Sequence, residues 1–155
     1  MTPFRGRFEV KVDPKFRLAL PVSFREACRD SKQNRLVITN GLYQGQKCLD
    51  VYTFAEWRKL ETRISGLSQL NRDVQSFQRF YLSGGHVLEV DGQSRMLIPP
   101  SLRQYAGVDS QVVLVGFSNK FEIWAQDVWS QLFDRLAQDF EKTLAAVSED
   151  VKKDV

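Results

Sequence analysis

The chain is poor in the residues on which most catalytic and metal chemistry depends. Its 155 residues include one histidine, His86, and two isolated cysteines, Cys28 and Cys48. There is no CxxC pair, and one imidazole cannot complete a zinc set with two thiols so far apart, so no metal site is expected and reduced, partly buried thiols are. GxSxG, P-loop and GxGxxG segments are absent, and Gly84-Gly85 reads as a helix stop. No apolar run approaches the roughly 20 residues that cross a bilayer. The opening Met1-Thr2-Pro3-Phe4-Arg5-Gly6-Arg7 lacks the apolar centre of a signal peptide. The expectation is a cytoplasmic protein with no membrane partner, no cofactor and no small-molecule substrate.

What the chain does have is a repeat. Val12-Asp13-Pro14-Lys15-Phe16-Arg17-Leu18-Ala19-Leu20-Pro21 returns as Val90-Asp91-Gly92-Gln93-Ser94-Arg95-Met96-Leu97-Ile98-Pro99. One register places Asp13 on Asp91, Arg17 on Arg95, Pro21 on Pro99 and Arg25 on Arg103. Chance rarely aligns four such residues together, so the chain reads as a duplication. Each half alone would have a marginal core, so the halves are expected to pack together.

Phe8, Val10 and Val12 alternate with Glu9, Lys11 and Asp13, and Phe16, Leu18 and Leu20 alternate with Arg17 and Ala19. This pattern predicts two half-buried strands forming a hairpin with its tip at Asp13 to Arg17. A short helix should follow over Ser23 to Arg29, then a loop from Asp30 to Asn34. Strands are predicted over Leu36–Thr39 and Cys48–Tyr52, joined by a turn from Gly41 to Gly45. Thr53 and Glu56 fit a capping box opening a helix with Phe54, Trp57, Leu60, Ile64 and Leu67 on one face. Asn71 to Leu82 reads as a second helix. The second copy then runs through His86–Val90, Met96–Ile98, a helix ended by Gly107, and strands at Val112–Val115 and Phe121–Trp124. A final helix carries Trp129, Phe133, Leu136, Phe140, Leu144 and Val147 as one stripe, and a frayed end is expected over Ser148 to Val155.

Few of these residues suit catalysis. His86 falls on the apolar parity of its strand, where a packed core histidine is the more ordinary reading than a general base. Glu9 and Asp13 share their surface with Lys11 and Arg17, which argues against a raised carboxyl pKa. Charge is unevenly spread: residues 1 to 35 carry nine Lys or Arg against four acids, whereas the chain from Asp127 onward carries seven acids and four bases. A basic face suits a phosphate-bearing partner, although a solvated surface has the same composition. Arg17 and Arg95 would stand on exposed β-arms, and a two-stranded ribbon fits the major groove of DNA. Arginine's planar fork binds a phosphate or the O6 and N7 edge of guanine. The plainer reading is that Asp13 with Arg17, and Asp91 with Arg95, pin the hairpins. Both hold together if Asp orients Arg without using all its donors.

Phe4-Arg5-Gly6, the two DxxxR motifs with their following Leu-Pro and Ile-Pro, Val113-Leu114-Val115-Gly116 and Lys120-Phe121-Glu122-Ile123-Trp124 together resemble the MraZ family, found beside bacterial division and cell-wall genes. The resemblance runs from about Phe4 to Leu136. It implies an α+β fold: a duplicated AbrB-like swapped-hairpin β-barrel with covering helices. The first repeat would span 4–55, connecting helices 56–82, the second repeat 83–126, and a C-terminal helix and tail 127–155. It also implies a non-enzymatic, nucleoid-associated repressor of the division and cell-wall operon, binding short G-rich direct repeats of double-stranded promoter DNA as a ring-shaped homo-oligomer. Arg17 and Arg95 match the family's motif arginines and Lys15 a commonly basic place. Arg5 and Arg7 are further candidates for DNA contact, with Asp13 and Asp91 as hairpin-structural residues. In the family, Gly usually precedes the motif Arg, where a tight turn favours positive φ. This chain has Phe16 and Ser94 there and Pro14 at the first tip, and a changed tip would change the DNA sequence preferred. A rival reading is a protein-interaction scaffold using the stripe from Trp129 to Val147. An enzyme on a small β-barrel would need a pocket with a perturbed acid or base.

Overall fold

The computed structural model describes residues 3–30 and 34–153. In chain order the elements are β1 (Arg7–Lys11), β2 (Arg17–Ala19), α1 (Val22–Asp30), β3 (Arg35–Tyr43), β4 (Gln46–Thr53), α2 (Phe54–Ser65) and α3 (Arg72–Phe77), which continues as a π-helical turn over Gln78–Leu82. The second half supplies β5 (His86–Glu89), β6 (Arg95–Leu97), α4 (Pro100–Ala106), β7 (Gln111–Gly116), β8 (Lys120–Ala125), α5 (Gln126–Gln138) and α6 (Phe140–Lys153). Part of the expected Asp30–Asn34 loop and the last two residues of the expected frayed end lie outside the described residues. Up to Lys153 that end is helical.

The fold is α+β, with an antiparallel six-stranded sheet in the order β1-β7-β8-β4-β3-β5 and a two-stranded ribbon of β2 and β6. The arms of the expected hairpin part company. β1 pairs with β7, whereas β2 pairs with β6. Near the tip the Val12–Leu18 bridge and the bond from Asp13 N–H to Arg17 O, 2.9 Å, still join the arms. Reciprocally, β5 of the second copy pairs with β3 of the first. Each copy thus lends its first strand to the other, which is the swapped-hairpin arrangement. The cause is burial: Leu18 and Met96, opposite each other in the ribbon, are 1% and 0% exposed, and pairing across copies drives both into one core.

That core gathers Phe4, Phe24, Leu36, Ile38, Leu49, Val51, Ile98, Leu114, Phe121 and Ile123. Phe24 stacks on Phe4, Phe8 and Phe121 at centroid distances of 5.2, 5.2 and 4.8 Å, so α1 is keyed into the sheet by one ring. The opposite face of the sheet is covered in two places. Trp57 of α2 packs with Val37 and Tyr52, and Leu132 of α5 packs with Cys48 and Trp124.

Several local expectations are corrected. Gly41 lies inside β3, paired with Cys48, and the turn shrinks to Gln44-Gly45, both at positive φ as a tight hairpin turn requires. Thr53 caps α2 by accepting from Glu56 N–H at 3.2 Å, but the Glu56 carboxylate turns to Lys59 at 3.1 Å. The long final stripe is broken at Asp139, so Leu132 is buried while Phe140, Leu144 and Val147 are more than half exposed. His86 is an exposed residue, its Nδ1 2.8 Å from Gly84 O. It begins an edge strand whose apolar parity meets the core only from Leu88 onward.

Candidate nucleic-acid interface

The two tips are built alike. At the first, Phe16 N–H donates to Asp13 O at 2.8 Å, closing a turn with Pro14 and Lys15 at its centre, and Phe16 follows at φ 62°. Asp at the first position and Pro at the second suit this turn, because Pro fixes its own φ and keeps Asp13 extended. At the second tip, Ser94 N–H donates to Asp91 O at 3.0 Å and Ser94 stands at φ 59°. Phe16 and Ser94 thus occupy the left-handed region that glycine would fill without strain, at about 1 kcal/mol for each L residue. Phe16 is held there by packing: its ring lies against the core and under the Arg103 guanidinium, 3.4 Å from the ring centroid.

Each aspartate organises its tip. Asp13 Oδ1 accepts from Lys15 N–H and Arg17 N–H, both at 2.9 Å, and Oδ2 accepts from Arg17 Nε at 2.9 Å. Asp91 does the same with Gln93 N–H at 2.8 Å, Arg95 N–H at 3.0 Å and Arg95 Nε at 2.9 Å. The backbone N–H of the following arginine, joined by its side chain and one further backbone N–H, holds each carboxyl below the ordinary aspartate range. The aspartate engages only Nε. Among the described residues no hydrogen bond occupies the terminal nitrogens of Arg17 or Arg95, so each guanidinium is oriented and still has its outer donors.

The ribbon brings the two arginines to one face. Arg17 lies opposite Leu97 and Arg95 opposite Ala19, while Leu18 and Met96 between them point inward. Arg17 and Arg95 are therefore diagonal neighbours across the ribbon, about 7–8 Å apart, with Ala19 and Leu97 beside them on the exposed side. Leu20 N–H to Ser94 O, 2.9 Å, and Ile98 N–H to Phe16 O, 3.0 Å, extend the pairing at both ends. Lys15 is exposed on the first tip.

Arg5 and Arg7 are not brought to this face. Extended chain from Arg7 to Asp13 spans about 20 Å, and Arg7 lays its guanidinium 4.7 Å from the Phe133 centroid and 5.9 Å from that of Trp129. Two arginines with no role in the sequence reading do stand near the tips. Arg103 of α4 stacks on Phe16, and its repeat equivalent Arg25 of α1 lines a small hollow with Arg29, Asp91 and Ser94. The repeat alignment already paired them, but not with the opposite copy's tip.

Elsewhere, burial pushes the Cys28 thiol up to about 11 and raises the Cys48 thiol further still, so neither is a thiolate nucleophile at neutral pH. Cys48, Asp50 and Glu122 form a cluster of potential metal ligands. No helix among the described residues is long and apolar enough to cross a membrane.

The family model described as "MraZ protein, putative antitoxin-like" matches residues 3–80 and again 81–150. A protein of Shewanella sp. (strain ANA-3) named "Transcriptional regulator MraZ" is 40% identical over 131 residues, covering 84% of this chain and 85% of the relative. Proteins of the same name from Shewanella putrefaciens (strain CN-32 / ATCC BAA-453) and Shewanella baltica (strain OS155 / ATCC BAA-1091) match to the same extent. With the duplicated match, this identity and the two DxxxR tips on one ribbon, the chain belongs to the MraZ family.

Proposed function

We propose that the chain is a sequence-specific DNA-binding transcriptional regulator, a repressor of the division and cell-wall gene cluster that grips G-rich direct repeats as a ring-shaped homo-oligomer. The observation that carries this reading is the convergence of Arg17 and Arg95 on the exposed face of one ribbon, each fixed by an aspartate through Nε alone. A guanidinium so oriented presents its remaining donors without further ordering, which suits bidentate contact with guanine O6 and N7 worth roughly 1–3 kcal/mol. Lys15 beside Arg17 suits a neighbouring phosphate. Arg5 and Arg7, at the far end of β1, would act on DNA through the general positive field. Several ribbons in a ring would bind spaced boxes by avidity, each contact being weak alone.

Gel retardation with the chain's own upstream DNA tests the reading. Wild-type protein should retard it, with affinity falling steeply as salt rises, because phosphate contacts release counterions. Arg17→Ala should abolish retardation while leaving the circular dichroism spectrum and assembly size unchanged. Retardation by Arg17→Ala equal to wild type at moderate salt would refute the assignment.

A further inference from the structure

We propose that Cys48, Asp50 and Glu122 form a binding site for a divalent transition metal of the zinc type, placed where the two copies of the repeat join. β4 and β8 are the central strands of the sheet, one from each copy, and Asp50 pairs with Glu122 in their register. Two carboxylates directly opposite on one face repel, and Lys120, 3.1 Å from Asp50, offsets one of the two charges. Cys48 is two residues from Asp50 on β4 and shares that face. One ligand atom from each of the three residues lies within 4.8 Å of the other two. Tetrahedral zinc bonds of about 2.0–2.3 Å set ligand atoms roughly 3.3–3.7 Å apart, so the three side chains would draw inward by up to about 1 Å on binding.

A second observation points to a cation. Asp50 is only 4% exposed. Its Oδ2 accepts from the Tyr81 hydroxyl and from Lys120 Nζ at 3.1 Å, but its Oδ1 is buried with no hydrogen-bond partner among the described residues. A buried carboxylate oxygen without a donor is costly, and a cation bound there would relieve that cost. This oxygen and the Cys48 sulfur border the same space: a Cβ on Gly41 would lie 2.8 Å from Sγ and 3.0 Å from Oδ1. Glycine at position 41 keeps the space between them open.

Charge agrees with the assignment. Two carboxylates and a Cys48 thiolate, formed by losing its proton to solvent on binding, are balanced by Lys120 and one dication. The ligands are also held from outside: Tyr81 and Lys120 on Asp50, and Trp124 Nε1 on Glu122 Oε1 at 2.9 Å. A cavity of about 370 Å³, lined by Asp50, Glu122, Lys120 and apolar residues of α5, gives an entry path. One thiolate with two carboxylates selects a borderline metal over calcium or magnesium.

The test uses the full chain, stripped by chelator and titrated with Co²⁺. Wild type should bind one equivalent, show thiolate-to-cobalt charge-transfer absorption in the near ultraviolet, and lose it when Zn²⁺ is added. Cys48→Ser should abolish that absorption and Cys28→Ser should keep it. Glu122→Gln should weaken Co²⁺ binding by more than the roughly 10–100-fold typical of losing an outer-shell partner. X-ray absorption of the zinc-loaded wild type should show one sulfur at about 2.3 Å, a readout independent of whether a variant folds. No charge-transfer band in wild type, its survival in Cys48→Ser, or a first shell without sulfur would each overturn the proposal.

Discussion

Phe16 and Ser94 hold the same strained φ for different net effects. Ser94 is half-exposed and lies outside the core cluster, so Ser94→Gly removes left-handed strain and adds only the backbone freedom of glycine, for a gain of up to about 1 kcal/mol. Phe16→Gly removes the same strain but also a ring packed on the core and on Arg103, for a net loss of about 1–2 kcal/mol. Urea unfolding of the two variants should therefore shift in opposite directions, and a gain for both would show that the packing of Phe16 on the core and Arg103 does not outweigh the strain. The aspartates offer a pH test. Both carboxyls lie below the ordinary aspartate value when folded, so their contribution to stability is complete above that value and is lost as pH falls through the lower folded one. The stability gap between wild type and Asp13→Asn should be widest at neutral pH and narrow in acid. Carboxyl ¹³C titration should give midpoints below that of an unstructured aspartate for both Asp13 and Asp91.

At the scale of elements, much was legible in the sequence because it is local. Parity located β1 and β2, short apolar runs the buried strands, Thr53 the start of α2, and Gly107 at φ 64° the end of α4. The Asp and Arg of each tip were legible because the repeat sets them in register. Pairing was not: nothing in the alternation of Phe8, Val10 and Val12 tells β1 to choose β7 over β2, since both partners offer an apolar face. Nor could spacing show that Asp50 meets Glu122, or that Arg103 reaches Phe16, as each contact exists only once the copies interleave. The π-helical turn at Gln78–Leu82 also defeats a simple helical wheel, sending Tyr81 to Tyr52 and Asp50 while Phe80 turns toward Tyr105. One element shows how tightly the exchanged strand is seated. A Cβ on Gly116 would lie 2.7 Å from Phe4 O and 2.8 Å from Arg5 N, both backbone atoms that cannot rotate away. Gly116→Ala should cost about 1–3 kcal/mol and increase hydrogen exchange at Phe4, whose N–H donates to Ser118 O at 2.8 Å. Unchanged exchange there would mean that the segment yields without unpairing.

Over the whole molecule, the exchange of β1 and β5 makes each half dependent on the other. A fragment ending near residue 80 lacks the partner for β1, and one beginning near 81 lacks the partner for β5. Neither should give a folded monomer, because Leu18 and Met96 would each face water in place of the other. Mixed, the fragments should form a 1:1 complex with the circular dichroism of the intact chain. A folded monomer from either alone would show that the cross-copy pairing is dispensable.

The ribbon also changes the symmetry of the chain. A sequence duplicated head to tail has become, at Leu18 and Met96, a dyad: two arms running in opposite directions about one point. A perfect dyad would meet a duplex equally well in either direction. Here one arm carries Pro14, Lys15 and a phenylalanine locked under Arg103, and the other carries Gly92, Gln93 and a serine with no such lid. Unequal arms give the surface a heading, so under the proposed DNA-binding role the ribbon would distinguish one strand orientation of a duplex from the other and sit the same way round on each of several tandem boxes.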